Sequence, residues 1–204
     1  MKVSKRAGVA PFYAMEILKT ANEMADRGDD IMHMETGEPV GGAPSKVIES
    51  AHAALDEAHL GYTEAQGNPL LRARIVQHYA DYYAQEVALE RIAITTGASG
   101  GLLLAFIAAF DVGDRIAMAD PSYPAYRNTL AALGLESVGL SAGPETRFQP
   151  TVELLKALEK PIQGLIISSP SNPTGTMIPR AEFEAVAKYC DAAGIRIISD
   201  EIYH

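Results

Sequence analysis

Beyond residue 89 the sequence alternates between short apolar runs rich in isoleucine and valine and longer amphipathic runs, and this alternation restricts the fold most. The short runs predict buried strands, and the segments between them have the spacing and terminal glycines of helices. The predicted strands lie at 92–96, 115–120, 135–140, 164–168 and 195–199, with helices at 99–110, 124–134, 151–160 and 179–194. We therefore expect an α/β fold, a mostly parallel sheet with helices on both faces.

The first 89 residues show a different pattern, in which helices follow one another without strands. Apolar residues recur at helical spacing in the ranges 11–28, 45–61 and 68–85. Asn68 is the expected N-cap of the third helix, because Pro69 suits the first helical position. The stretch 37–44 is rich in glycine and proline and predicts a hinge between an N-terminal helical segment and the α/β body.

Charge and cysteine content argue against several classes of function. The chain has 17 basic and 26 acidic side chains, a net charge of −9, which disfavours nucleic acid or an anionic membrane as its main partner. The longest apolar run, 102–110, is too short to span a bilayer. A single cysteine, Cys190, excludes an internal disulfide and a cysteine-based zinc cluster, and a cytoplasmic location is expected. The histidine spacing predicts no metal site.

The turns that follow the predicted strands are the expected place for chemistry. In open α/β sheets, ligands bind beyond the carboxyl ends of the strands, and parallel strands bring those ends to one edge. The four turns in question are "TGASGG" at 96–101, "ADPSYPAY" at 119–126, "SPSNPTG" at 169–175 and "SDEIYH" at 199–204.

The first of these turns opens a predicted helix. Backbone N–H groups of Gly97, Ala98 and Ser99, together with the helix dipole, would suit an anion, most naturally a phosphate. The alternative is a tight strand-to-helix turn without a ligand. The turn is neither a GxGxxG fingerprint nor a Walker loop, which disfavours a nucleotide-binding domain.

The other three turns together carry four polar or aromatic side chains, each with a distinct use. Tyr123, between two prolines, could present its ring to a planar ligand or lie at the edge of the core. Asn172 could be held for hydrogen bonding by its flanking prolines or be an ordinary turn residue. Asp200 ends a buried strand and needs a partner, either a cationic ring nitrogen or a cap or salt bridge. Tyr203, three positions on, would lie on the same side in a helical turn.

Taken together, the groups in the four turns suit the parts of a single ligand. An anion, a flat ring, a hydrogen-bonding oxygen and a basic ring nitrogen are all present in pyridoxal 5′-phosphate. With these residues in view, the sequence resembles the fold-type-I pyridoxal-phosphate enzymes of the class I/II aminotransferase family. The resemblance runs nearly end to end, through "TGEP" at 36–39, "GYTEAQGNPLLR" at 61–72, "TTGASGGL", "DPSYPAY", "SPSNPTG" and "SDEIYH".

The resemblance implies a role for each matching residue of the four turns. The backbone after Gly97, at Ala98 and Ser99, would bind the cofactor phosphate, and Tyr123 would stack on the pyridine ring. The remaining roles concern the polar atoms of the ring and the substrate. Asn172 would bond the phenolic oxygen and help to hold the substrate carboxylate, Asp200 would pair with the protonated pyridine nitrogen, and Tyr203 would also bond the phenolic oxygen.

Two further residues receive roles from the resemblance alone. Gly37 would meet the substrate carboxylate through its backbone. Tyr62 would reach the cofactor phosphate of a partner subunit, which implies a homodimer. In the same terms, residues 1–40 would form an N-terminal arm and part of a small domain, and residues 41–204 a large cofactor-binding domain truncated at its C-terminal end.

One element of the family is absent from the sequence. The family's Schiff-base lysine follows the "SDEIY" match by a few dozen residues, and no lysine of this chain occupies that position. We therefore expect the chain to be the N-terminal portion of a longer enzyme and inactive by itself, so that no catalytic residue is assigned. Two missing strands of the family's sheet would lie between 92–96 and 195–199, and their absence predicts an exposed apolar edge.

The leading hypothesis is transamination between an amino acid and a 2-oxo acid. A carbon–sulfur lyase of the same fold is the first alternative, and its products, ammonia and pyruvate, would distinguish it. A non-catalytic fragment or cofactor-fold module is the second alternative, which a lysine in the downstream reading frame would exclude.

Overall fold

The computed structural model describes residues 1–37, 41–57 and 60–203. The chain divides into two compact units. We call Tyr13–Thr95 the helical unit, and Met1–Phe12 together with Thr96–His204 the sheet unit. The predicted domain boundary after residue 40 falls within the range of the helical unit and stays a prediction.

The described part of the helical unit contains three α-helices. These are α1 (Tyr13–Asp26), α2 (Ser45–Glu57) and α3 (Pro69–Tyr83), all within the predicted ranges. The N-cap prediction for α3 is confirmed, because the Oδ1 atom of Asn68 accepts a hydrogen bond of 2.9 Å from the N–H of Leu70. Pro69 is the first helical residue, as predicted.

Arg72 connects α3 to the segment that follows it. Its side chain is buried, with 5% of the residue exposed. Its Nε atom donates to the carbonyl of Ile92 at 2.9 Å, and its Nη2 atom to the carbonyl of Leu89 at 2.7 Å. Charged donors make strong hydrogen bonds, so these two contacts stabilise the packing of residues 89–92 against α3.

The predicted strand at 92–96 is wrong. Residues 92–95 pair with no strand in the described part of the chain. The N–H of Ile94 donates instead to the carbonyl of Gln66, at 2.9 Å. β-branched residues favour an extended backbone, as at Ile92, but a strand also needs a neighbour with which to form its hydrogen bonds.

The sheet unit is built on four parallel strands in the order β2-β1-β3-β4. The helices are α4 (Gly97–Ala109), α5 (Pro124–Leu133), α6 (Val152–Lys156) and α7 (Arg180–Ala193), and the strands are β1 (Arg115–Asp120), β2 (Glu136–Ser141), β3 (Gly164–Ser168) and β4 (Arg196–Asp200). The predicted strands β1 and β3 match the structure at both ends. The helix predicted at 151–160 is shorter than expected, and ends at Lys156.

Along the two central strands, β1 and β3, successive side chains enter two different hydrophobic clusters. One cluster lies on each face of the sheet, and helices cover both. Ala117 and Leu165 pack with Leu155 of α6 and Val186 of α7. On the other face, Ile116, Met118 and Ile166 pack with Phe106 of α4 and with Tyr126 and Leu130 of α5. The predicted α/β architecture is thereby confirmed. Among the described residues, no helix is both long enough and apolar enough to cross a membrane.

Candidate functional site

A pocket lies at the carboxyl edge of the sheet, where β3 and β4 end and α4 and α5 begin. Its cavity volume is about 260 Å³, just below the range of about 300–1,000 Å³ usual for small-molecule sites, and the cavity is open to solvent on one side. Seven of the predicted site residues line it, namely Gly97, Ala98, Ser99, Tyr123, Asn172, Asp200 and Tyr203. The structure therefore brings these seven residues together at the edge of the sheet where the strands end.

The N-terminus of α4 forms one wall of the pocket. The helix begins at Gly97, whose φ of +73° favours glycine. Thr96, at the N-cap position, makes no side-chain hydrogen bond to the helix. The first N–H groups of a helix have no acceptor within the helix and carry a partial positive charge, so the backbone of Ala98 and Ser99 suits an anion.

Tyr123 presents its aromatic ring from the N-cap position of α5. Pro124 is the first residue of that helix and fixes the backbone beside the ring. The edge-on ring of Phe12 lies 5.6 Å away, and that of Tyr126 also 5.6 Å away, at interplanar angles of 73° and 78°. These contacts hold the Tyr123 ring in one orientation. The N-terminal segment that carries Phe12 is bound in turn to α5, through a hydrogen bond of 3.2 Å from Asn128 to the carbonyl of Ala10.

Asp200 is the acidic side chain of the pocket, and both of its oxygens accept hydrogen bonds. The Tyr126 hydroxyl donates to Oδ2 at 2.6 Å, and the N–H of Ile202 donates to Oδ1 at 3.2 Å. Burial, and secondly the bond to Asp200, raise the pKa of the Tyr126 hydroxyl far above its ordinary value. Tyr126 therefore stays protonated and acts as a donor.

Asn172 lies in a loop that is held by several hydrogen bonds. Its Nδ2 atom donates to the Tyr203 hydroxyl at 3.3 Å, so the two predicted partners of one ligand oxygen are neighbours. The N–H of Ser171 donates to the carbonyl of Thr176 at 2.9 Å, and the N–H of Gly175 to the carbonyl of Ser171 at 2.7 Å. The loop is thus a closed turn that fixes the backbone on both sides of Asn172.

The buried amide of Gln149 forms hydrogen bonds to this loop. Gln149 is 1% exposed, and its Nε2 atom donates to the carbonyl of Thr176 at 2.9 Å. The same atom lies 3.3 Å from the carbonyl of Ser168, at the end of β3. Gln149 therefore joins the loop to the strand that precedes it. Nothing in the sequence around Gln149 indicated this role.

Two predicted site residues belong to the helical unit. Gly37 and Tyr62 are both exposed, and Tyr62 is fully exposed. The pocket of the sheet unit does not test their predicted roles, which stay predictions. Residues 38 and 39 of the "TGEP" match and residue 204 of "SDEIYH" lie outside the described residues.

Five further residues line the pocket without a role predicted from the sequence, and these are Thr96, Leu102, Tyr126, Ser168 and Ile202. Tyr126 is the most informative of them. It follows Tyr123 by three positions in the first turn of α5, and residues three apart share one face of a helix. That spacing is the signal by which Tyr126 could have been assigned to the site.

Comparison with known proteins gives a consistent result. The sequence profile of the family described as "Aminotransferase class I and II" matches residues 29–204. The chain is 48% identical over 203 residues to a valine–pyruvate aminotransferase of Mycobacterium tuberculosis and 31% identical over 205 residues to an aspartate aminotransferase of Geobacillus stearothermophilus. Each alignment covers 100% of this chain and 52% of the relative.

A solved structure shows the same similarity at the level of the fold. The crystal structure of an aminotransferase from Mycobacterium tuberculosis superposes with a TM-score of 0.94 at 48% identity, over 98% of this chain and 52% of the other. The chain therefore spans about half the length of the curated relatives it matches. That share agrees with the predicted correspondence to an N-terminal portion of such proteins.

Proposed function

The chain belongs to the class I and II aminotransferase family, and we propose that the protein containing it transfers an amino group from an amino acid to a 2-oxo acid. Enzymes of this family use pyridoxal 5′-phosphate as cofactor. The observation that carries the proposal is the pocket of the sheet unit. An anion-binding helix N-terminus, an aromatic ring, an amide–phenol pair and a carboxylate surround one cavity there.

The groups around the pocket fit the chemistry of this cofactor. The N–H groups of Ala98 and Ser99 would bind its phosphate, because a helix N-terminus favours an anion. The Tyr123 ring would lie against the pyridine ring, and Asn172 with Tyr203 would bond the phenolic oxygen. Asp200 would pair with the pyridine nitrogen through the lone pairs that its present donors leave free.

When bound, the cofactor supplies an electron sink that stabilises negative charge at the amino acid's α-carbon. The side chains of this chain have the tasks of binding and orientation. Asp200 would hold a proton on the ring nitrogen by its negative charge, and Asn172 would in addition bind the substrate carboxylate. The rigid turn around Asn172 fixes that amide before any ligand arrives, which lowers the entropic cost of binding.

The finer parts of the proposal concern substrates and assembly. The relative that shares 48% identity is named for valine and pyruvate, so an aliphatic amino acid and pyruvate are the first substrates to test. Gly37 would contact the substrate carboxylate through its backbone. Tyr62, fully exposed in this chain, would reach the cofactor phosphate of a second subunit in a homodimer. We place the enzyme in the cytoplasm.

The test of this function uses the protein at its natural length, supplied with pyridoxal 5′-phosphate. Incubation with L-valine and pyruvate should form L-alanine and the 2-oxo acid of valine in equal amounts, measured by chromatography. A second incubation with L-cysteine examines the lyase alternative, which would release hydrogen sulfide, ammonia and pyruvate. Absence of amino transfer to any 2-oxo acid, in protein shown to hold the cofactor, would contradict the proposal.

A further inference from the structure

We propose that Tyr126 is the positioning residue of Asp200. Its hydroxyl fixes one carboxylate oxygen, so that the remaining lone pairs of Asp200 face the pocket in a single orientation. The inference rests on the proposed function, because the group that would use those lone pairs is the pyridine nitrogen of the cofactor. It adds a residue to which neither the sequence nor the comparisons assign a role.

The contact between the two side chains is the first observation behind this inference. The distance of 2.6 Å between the Tyr126 hydroxyl and Oδ2 of Asp200 lies in the range of about 2.5–2.7 Å that charge-assisted O–H···O⁻ bonds show. The two residues are 74 positions apart in the sequence. The bond therefore depends on the packing of α5 against the sheet, and no local turn produces it.

The second observation is that Tyr126 is buried, whereas Asp200 is only half-buried. Tyr126 is 2% exposed, and its ring packs among Phe106, Met118 and Leu130. Asp200 ends β4, and the residues that follow it in the described chain, Glu201 to Tyr203, are exposed. A buried aromatic ring is held by its neighbours, so its hydroxyl provides a fixed point for a carboxylate at the open end of a strand.

The third observation concerns the lone pairs of the carboxylate. An ionised carboxylate has about four acceptor positions. Tyr126 occupies one on Oδ2, and the N–H of Ile202 occupies one on Oδ1. Each oxygen keeps a position for a donor in the pocket. Without Tyr126, Oδ2 would lose the one side-chain donor that the described residues give it, and rotation about the Cβ–Cγ bond would change which oxygen faces the ligand.

The same hydroxyl links Asp200 to the aromatic wall of the pocket. The Tyr126 ring lies edge-on to Tyr123 at 5.6 Å, so one residue contacts both the carboxylate and the ring that would face the cofactor. Since Tyr123 and Tyr126 are three residues apart on one helical turn, their spacing is set by the backbone of α5. This couples the position of the aromatic ring to that of the carboxylate.

The experiment compares Tyr126→Phe with Tyr189→Phe in the protein at its natural length. Both changes remove one hydroxyl, from a buried tyrosine in Tyr126→Phe and from a partly buried one in Tyr189→Phe. Tyr189 lies on α7 and packs on the other face of the sheet. Pyridoxal 5′-phosphate labelled with ¹⁵N at its ring nitrogen is the probe. Tyr126→Phe should weaken its binding about tenfold, as expected for loss of a hydrogen bond to a charged group, and should move the ring ¹⁵N signal toward the unprotonated position.

A double-mutant cycle separates positioning from simple packing. In an Asp200→Ala background, Tyr126→Phe should have no further effect on the ¹⁵N signal or on cofactor affinity, because no carboxylate remains to be positioned. A second measurement needs no Tyr126 variant. The wild-type protein should show a slowly exchanging Tyr126 hydroxyl proton by NMR, and Asp200→Ala should abolish it.

The outcomes distinguish this inference from the proposed function. Failure of the wild-type protein to bind the cofactor would overturn both. Cofactor binding by Tyr126→Phe with wild-type affinity and ¹⁵N signal would overturn the inference alone. Equal losses in Tyr126→Phe and Tyr189→Phe, additivity in the Asp200→Ala background, or a hydroxyl signal that persists in Asp200→Ala would also overturn it.

Discussion

Replacement of Gln149 by methionine should destabilise the protein and loosen the loop that carries Asn172. The two side chains are similar in length, but methionine has no N–H group. The Gln149 amide lies within hydrogen-bonding distance of the Thr176 carbonyl (2.9 Å), the Thr176 hydroxyl (3.2 Å) and the Ser168 carbonyl (3.3 Å). An amide NH₂ has two hydrogens, so these three contacts amount to two hydrogen bonds at most.

The expected loss of stability depends on which hydrogen bonds the acceptors of Gln149 keep in the variant. A hydrogen bond contributes about 1 kcal/mol net, and a buried polar group left without any partner costs more. The Thr176 carbonyl keeps the bond of 2.9 Å from the N–H of Ser171, so it is not left without a donor. Burial of the methionine side chain offsets part of the loss. We expect Gln149→Met to lower the free energy of unfolding by about 1–2 kcal/mol.

Urea unfolding of the natural-length protein measures this change as a lower midpoint at unchanged slope. Hydrogen exchange locates it, because the N–H groups of Ser171 and Gly175 should exchange faster while those of β1 do not. Gln77→Met is the matched control. Gln77 is exposed on α3, and within the described part of the chain its side chain bonds only to the exposed Asp81, so its loss should change stability by less than about 0.5 kcal/mol. Equal effects of the two variants, or unchanged exchange in the loop, would refute the reasoning.

Three further predictions follow from the structure. Arg72→Met removes both hydrogen bonds of a buried guanidinium and should cost about 2–4 kcal/mol in urea unfolding, whereas the exposed Arg74→Met should be nearly neutral; similar costs would contradict the assignment. Gly164→Ala would place a methyl group against the ring of Phe110 and should cost about 1–3 kcal/mol; an unchanged unfolding midpoint would count against that contact. Burial raises the pKa of the Cys190 thiol, so iodoacetamide at mildly alkaline pH should label it only in unfolded protein, as seen by mass spectrometry; rapid labelling of native protein would show the burial to be wrong.

Much of the sheet unit could be predicted because its sequence signals are local. The apolar runs of β1 and β3 and the glycines that end α5 and α7 act within a few residues of where they stand. The strand-end rule then placed Tyr123, Asn172 and Asp200 at one edge, because parallel strands end together. These predictions needed only chain order and periodicity.

The parts that could not be predicted depend on contacts between distant segments. The bond from Tyr126 to Asp200 spans 74 residues, and the amide of Gln149 reaches a carbonyl 27 residues further along the chain. Residues 92–95 have the composition of a strand, yet a strand forms only when another strand lies beside it. Such pairing is a property of the folded chain, and no local pattern reports it.

We propose above all that the strand-end pocket of this chain binds pyridoxal 5′-phosphate. The most direct test is a crystal structure of the natural-length protein with that cofactor bound. We expect the phosphate within hydrogen-bonding distance of the N–H groups of Ala98 and Ser99, the ring against Tyr123 and the ring nitrogen beside the Asp200 carboxylate. A cofactor bound elsewhere, or with its ring nitrogen directed away from Asp200, would contradict it.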